Sequence, residues 1–291
     1  MRVVIDTNSL ETEELRIFLS SRRRNIAVLP EHTSAEIFKP SSDEAVFALL
    51  STLCEFPKQV ILLRGNRYAA TVDARVPAIS NRFIDRDISR SFPQFCGAVR
   101  AANSGHTGYL QQLAQRREWA LERAETVESA LGDQSDSLAE LRDQFTAADL
   151  QRLRAGEALS ERSRQLILGM TTAIAKILYV GHPARRPLQK PPYRYYQFTW
   201  RYALCHLIQL IQLIRDGGIR RAAPKARNDH FDNVFSTFGT YYNGVMTNDK
   251  GPLATQCIAR IILRSLGVRL SEDYVETGYI LTLIDDLDAN F

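Results

Sequence analysis

The stretch that decides the reading is "MRVVIDTNSL", residues 1–10, in which Val3, Val4 and Ile5 run directly into Asp6, Thr7 and Asn8. A short β-branched run ending in polar turn residues is the pattern of a strand buried on both faces of a parallel sheet. A carboxylate at the end of such a strand costs free energy unless a cation or hydrogen-bond donors meet it. What meets Asp6 is therefore the question put to the rest of the chain.

Working outward, "ETEELRIFLSSRRR" places Leu15, Phe18 and Leu19 on one helical face, "NIAVLP" is a second strand closed by Pro30, and "EHTSAEIFK" opens another helix. "SDEAVFALLSTLCEF" carries a capping residue and first-turn acids ahead of an apolar helix, and "QVILLRG" is a third strand. Strands alternating with helices at this spacing predict an α/β fold, with a parallel sheet covered on both faces and right-handed crossovers.

From about residue 67 to about 226 strand signals nearly vanish. "LQQLAQRREWALERAETVESAL" and "SLAELRDQFTAADLQRLRAG" predict a charged helical hairpin about a loop at Gly132 to Ser135. The more apolar "SERSRQLILGMTTAIAKILYVG" and "RYALCHLIQLIQLIRDGG" predict the core of this helical part, the second capped by Gly217 and Gly218. The α/β pattern then resumes with a helix "NDHFDNVFSTFGTYY" capped by Asn228 or Asp229, a short strand "GVMT", a helix "GPLATQCIARIILRSL" and a last strand "GVRL". The organisation expected is an α/β domain of residues 1–66 and 226–291, interrupted by a mainly helical insertion over residues 67–225, which is too long for an ordinary loop.

Composition narrows the classes. The chain has 291 residues, 45% of them apolar, with 37 basic against 33 acidic side chains. A net charge of +4 says little by itself. Cys54, Cys96, Cys205 and Cys257 are widely spaced with no C-x-x-C pair, against a structural zinc site or disulfide framework and in favour of a reducing cytoplasm. The first residues read as strand rather than signal peptide, and the longest apolar run contains Lys176 and is too short for a bilayer, so no membrane association is expected.

Ligand sites of open parallel sheets form beyond the carboxyl ends of the strands. Asp6 follows the first strand directly, Glu36 lies in the helix after the second, and Asp249 follows "GVMTN"; Asp232 lies in the helix entering that strand. Converging carboxylates repel, and a hard divalent cation with a preference for oxygen relieves the conflict. Each acid also has an ordinary explanation: Asp229 and Asp232 as helix-start residues, Glu36 as a surface residue, Asp249 as part of a turn.

These residues resemble the PIN domain, a nuclease family with a three-layer α/β/α Rossmann-like fold. The resemblance rests on "VVIDTN", "VLPEHTSAEI" and "NDHFDNVFSTFGTYYNGVMTNDKG", and covers about residues 1 to 65 and 226 to 270. It implies metal-dependent endonucleolytic cleavage of RNA with Mg²⁺ or Mn²⁺, leaving a 3′ hydroxyl and a 5′ phosphate. By the resemblance Asp6 and Asp249 bind metal directly, Asp232 binds it directly or through water, all three are catalytic, Asp229 is an additional ligand, and Glu36 holds a metal-bound water or assists its deprotonation. Asn8 and Thr247 orient the carboxylates by hydrogen bonds. Small members of the family act as toxins restrained by a cognate protein, so a toxin or defence role, an inhibitor partner and a homo-oligomer enter as expectations by analogy.

Between Arg185 and Arg227 ten basic residues and one acid, Asp216, are interleaved with aromatics. Cations beside stacking rings suit single-stranded nucleic acid. The candidates are Arg185, Arg186, Lys190, Arg194, Tyr195 and Arg201, with Arg220, Arg221, Lys225 and Arg227 flanking the acid edge; the alternative puts Tyr196, Phe198, Trp200 and Tyr202 in the core. His32 and His230 are expected on helix surfaces, and Arg22, Arg23 and Arg24 at a solvated helix end. A phosphotransferase of the haloacid dehalogenase type would need an Asp where Asn8 stands. A PIN-like scaffold that binds RNA or protein without cutting, and a nuclease for DNA or flaps, are the remaining rivals.

Overall fold

The computed structural model describes residues 1–40, 42–131, 135–155, 157, 159–182, 187–217 and 223–274, without the side chains of 34, 123–131, 135–138 and 223–227. The chain starts with β1 (Arg2–Ile5), a 3₁₀ turn (Thr7–Ser9), α1 (Glu13–Ser21), β2 (Ile26–Leu29), α2 (Glu31–Ile37), α3 (Asp43–Glu55) and β3 (Val60–Leu63). A short α4 (Asn66–Ala69), a two-residue β4 (Ile84–Asp85) and α5 (Arg86–Asn103) follow. Next come α6 (Thr107–Leu131), α7 (Ser135–Asp143), α8 (Ala147–Ala155), α9 (Glu161–Gly181) and α10 (Phe198–Arg215), then α11 (Ala223–Gly239), β5 (Val245–Met246) and α12 (Lys250–Ser265).

The five strands form one sheet in the order β4-β3-β2-β1-β5. β1, β2, β3 and β5 are parallel, in registers such as Val3 opposite Ala27 and Ile5 opposite Met246; β4 is the antiparallel edge strand. Alternation along the strands assigns the two faces. Val3, Ile5, Ala27, Leu29 and Val60 share a core with α1, α3, α5 and α6, through residues such as Leu15, Leu50, Phe92 and Leu113. Val4, Val28, Leu63 and Val245 share another with Phe198 of α10 and Phe231, Val234, Phe235 and Phe238 of α11. Helices on both faces of a mostly parallel sheet make the molecule α/β in three layers.

Elements from residues 67–225 take part in both layers: α5 covers one face, α10 reaches the other, and β4 extends the sheet. α9 and α12 pack on the outer side of α10 around Trp200, Ala203, Leu204, Ala259 and Leu263. Leu141 and Phe145, in and just after α7, pack with α10 through Leu207, Ile211 and Ile214.

Three local expectations are corrected. "GVRL" is not a strand: Gly267, at φ +79°, closes α12 by donating to Arg264 O, and Val268 donates back to Leu263 O, which ends the helix in a left-handed turn. The second arm of the charged hairpin is two helices, α7 and α8, interrupted at Gln144–Thr146, where Thr146 Oγ1 caps Asp149 N. α11 begins at Ala223, so Asn228 and Asp229 do not cap it. Gly217 does take the left-handed conformation expected after α10, at φ +76°. All four cysteines are free and buried. Among the described residues no helix is long and apolar enough to cross a membrane.

Candidate functional site

Because β1, β2, β3 and β5 run in parallel, the turns that follow them share one edge of the sheet. Asp6 N makes the last ladder bond of β1, donating to Met246 O at 3.0 Å, and this leaves the Asp6 side chain at that edge, 5% exposed. Its Oδ1 accepts from Thr7 N at 2.7 Å and its Oδ2 from Thr247 Oγ1 at 2.6 Å. Hydrogen-bond donors from both flanking turns thus meet Asp6. Burial raises its pKa, partly offset by these hydrogen bonds, and the neighbouring charge of Asp249 raises it further.

Asn8 joins the turns after β1 and β5. Its Nδ2 donates to Asp249 Oδ2 at 2.9 Å, while its Oδ1 accepts from Asn248 N and its backbone oxygen from Asn248 Nδ2, both at 3.1 Å. Thr247 Oγ1 also accepts from Asp249 N at 3.0 Å. From the first turns of α2, Glu36 is reached by the Thr7 hydroxyl, which donates to Glu36 Oε2. These bonds set the orientation of three carboxylates before any ligand arrives.

Asp232 lies well inside α11, in its third turn, too deep for the helix amino terminus to account for it. Burial comes first among the causes that push its pKa up to about 8, followed by the negative charges of Asp6, Asp249, Asp229 and Glu36. The four nominated acids, with Asp229, thus converge electrostatically. They line a cleft of about 630 Å³ together with Thr7, Asn8, Gln209, Gln212, Asn228 and the amino end of α12. Asp216 also lines it, and its described cations are Lys39 and Lys250. The donors facing this cleft are carboxylate, amide and hydroxyl oxygens, the set that a hard divalent cation selects. Among the described residues no three His, Cys, Asp or Glu side chains stand in a ready-made ligand cluster.

Thr7, Lys39, Gln209, Gln212 and Lys250 were not singled out by the sequence reading. Thr7 carried a signal, a hydroxyl directly after the strand-terminal acid. The glutamines carried none: they look like ordinary residues of α10 until Gln209 Nε2 donates to Asp229 O at 3.1 Å and Gln212 Oε1 accepts from Thr255 Oγ1 at 3.1 Å.

The histidines are corrected. His32 is 6% exposed, its ring 4.9 Å from Phe231 and 5.7 Å from His230. His230 Nδ1 pairs with Tyr202 OH at 2.8 Å, and burial pushes its pKa down to about 4. Both belong to packing behind the acids rather than to a helix surface.

Of the nucleic-acid candidates, Arg201 is corrected. It is 2% exposed, with Nε donating to Tyr195 O at 2.8 Å and Nη1 to Thr240 O at 2.7 Å, and its guanidinium lies 4.0 Å from the Tyr241 ring centre. It satisfies carbonyls that end helices and is closed to a ligand. Tyr195 is half-buried with its ring edge-on to Trp200 at 5.0 Å, and Trp200 and Phe198 are core. Lys190 is exposed; Arg194 is half-buried and donates to Gln189 O at 3.1 Å. Arg185, Arg186, Arg220 and Arg221 lie outside the described residues, as do the side chains of Lys225 and Arg227. Arg22, Arg23 and Arg24 are exposed just before β2, at the opposite edge of the sheet.

Compared with protein-family models, with curated proteins and with solved structures, the chain matches none.

Proposed function

We propose that this protein is a metal-dependent phosphodiesterase, a PIN-like endoribonuclease acting on single-stranded or exposed RNA. The observation that carries the reading is the single cleft lined by Asp6, Glu36, Asp229, Asp232 and Asp249, in which burial and the neighbouring acids push the pKa of Asp232 up. Acids drawn from four separate segments to the carboxyl edge of a parallel sheet, with two lysines beside them, are an arrangement that a divalent cation stabilises and a free protein does not.

Asp6, Asp232 and Asp249 would hold Mg²⁺ or Mn²⁺, with Asp229 at the margin. Such an ion supplies Lewis acidity at a phosphoryl oxygen and lowers the pKa of water at neutral pH. The Thr7 hydroxyl fixes Glu36, the group placed to accept the proton of an attacking water. Asn8 and Thr247 keep Asp249 and Asp6 pointed into the cleft. Water adds to phosphorus, the bond to the 3′ oxygen breaks, and that oxygen leaves with a proton.

The test is cleavage of labelled single-stranded RNA with Mn²⁺ or Mg²⁺ against EDTA, in the native protein and in Asp6→Asn, with folding checked by circular dichroism. Metal-dependent cutting lost in Asp6→Asn is expected; an equal rate in both proteins overturns the reading. The rival reading is a scaffold that binds RNA without cutting. Binding without cleavage at any metal concentration would favour it.

A further inference from the structure

The helix after β3 shares the carboxyl edge of the sheet with the acid cleft, and it is built unlike the cleft. α4 presents Arg67 and Tyr68 to solvent, with Tyr68 38% exposed and the Arg64 guanidinium 4.3 Å from its ring centre. The segment 187–196 is fastened to the loop after α4: Gln189 Nε2 donates to Asp73 Oδ1 at 2.7 Å, and the same carboxylate is held by Arg75. His182, at the end of α9, meets Arg67 O at 3.0 Å. This sets the segment carrying Lys190 and Tyr193, the latter 47% exposed, against the Asp73–Arg75 turn that follows α4, with Tyr193 near Arg75.

The result is a surface with Arg64, Arg67, Arg75, Lys190 and Arg194 as cations. Asp73 and Glu31, the latter against Gly65, are its nearby acids. α4 is tied to the wall of the cleft: Asn66 hydrogen-bonds the buried His32 at 3.2 Å, and the His32 ring lies 4.9 Å from that of Phe231, which lines the cleft.

We propose that this surface is a binding track for single-stranded nucleic acid, along which the strand leaving the cleft stacks bases on Tyr68 and Tyr193 and lays phosphates against Arg67, Arg75 and Lys190. The proposal rests on the phosphodiesterase reading for its direction but makes its own claim. Exposed rings with a guanidinium nearby give sequence-tolerant stacking, and cations grouped around them give salt-dependent affinity. Double-stranded substrate has no free base faces for the tyrosines. The track therefore selects single strands long enough to reach from the cleft past α4.

Fluorescence anisotropy of a labelled 12-nucleotide oligouridylate in EDTA, titrated with the full chain, tests it separately from cleavage. Tyr68→Ala and Tyr193→Ala are expected to weaken binding about tenfold each, and Arg67→Ala and Lys190→Ala to reduce the slope of log K against log salt by about 0.7 each. Arg22→Ala, a cation at the opposite sheet edge, is expected to change neither. All five positions are exposed, and thermal melting confirms that the variants fold. Affinities and slopes equal to the native protein's in all four track variants would overturn the track while leaving cleavage to decide the nuclease reading. A native protein that cuts RNA yet does not bind the oligouridylate would likewise overturn the track alone.

Discussion

Arg260 and Asp232 are both ionisable side chains on helices flanking the same sheet, the first buried and the second half-buried, and their surroundings differ. Arg260 is completely buried; its Nε lies 2.8 Å from Asp273 Oδ2, and its other nitrogens donate to the carbonyls of Gly239, Tyr242 and Ser271. Arg201 closes its charge in the same way on Tyr195 O and Thr240 O. Asp232 is surrounded instead by Asp6, Asp249, Asp229 and Glu36, and it resolves the conflict by keeping a proton. A charge that serves the fold carries its partners with it. A charge whose nearest charges repel it is what the proposed cation would complete, and on that reading the contrast separates structural from functional ionisable groups.

The sharpest way to break the contrast is to remove one member from each side. Asp6→Asn is expected to abolish metal-dependent cleavage while leaving the urea midpoint unchanged or raised, since it relieves repulsion. Arg260→Ala leaves Asp273 unpaired and is expected to cost about 3–5 kcal/mol in urea unfolding, with folded protein still able to cleave. Equal destabilisation by the two changes would erase the distinction.

A smaller effect follows from titration. Unfolded, Asp232 ionises near its ordinary value of 3.8; folded, it retains its proton to about 8. The unfolded chain therefore releases that proton first, and this contribution to stability is complete below about pH 4 and is lost as the pH rises toward about 8. Subtracting the Asp232→Asn curve from the native one isolates it, and the native protein should lose more stability across that window. Mn²⁺ at a hundred times its dissociation constant should restore about 2.7 kcal/mol at pH 8.

The smallest effect concerns the turns. Asn8→Ala removes the link from the turn after β1 to Asp249 and Asn248 in the turn after β5 and is expected to weaken metal affinity about tenfold, with a modest change in melting temperature. A loss as complete as that of Asp6→Asn would make Asn8 a participant rather than an orienting group.

Much of the cleft was legible because parallel-strand topology forces residues that follow different strands to a common edge. "RVVI", "NIAVLP" and "GVMT" announce their strands through β-branched runs, and Asp6 and Asp249 follow from where those runs stop. Asp232 was found for a less secure reason. The sequence places the cap of its helix at Asn228 or Asp229, although Pro224 is well suited to the first turn of a helix that begins at Ala223. β4 is two residues long and pairs antiparallel at the sheet edge, too short to produce a periodic signal. "GVRL" gave a false one, since Gly267 ends α12 where a strand was expected. Arg201 misled because a helix interior rarely buries arginine; only carbonyls supplied from residues 195 and 240 make it possible there.

The central claim is that the carboxylate cleft takes up a divalent cation. Isothermal titration of Mn²⁺ into the metal-free protein at pH 7.5, repeated in buffers of different ionisation enthalpy, measures binding and proton release together. The account predicts saturable binding with release of a proton from Asp232, absent in Asp6→Asn. Heats no greater than dilution, or equal heats in native and variant proteins, would contradict it.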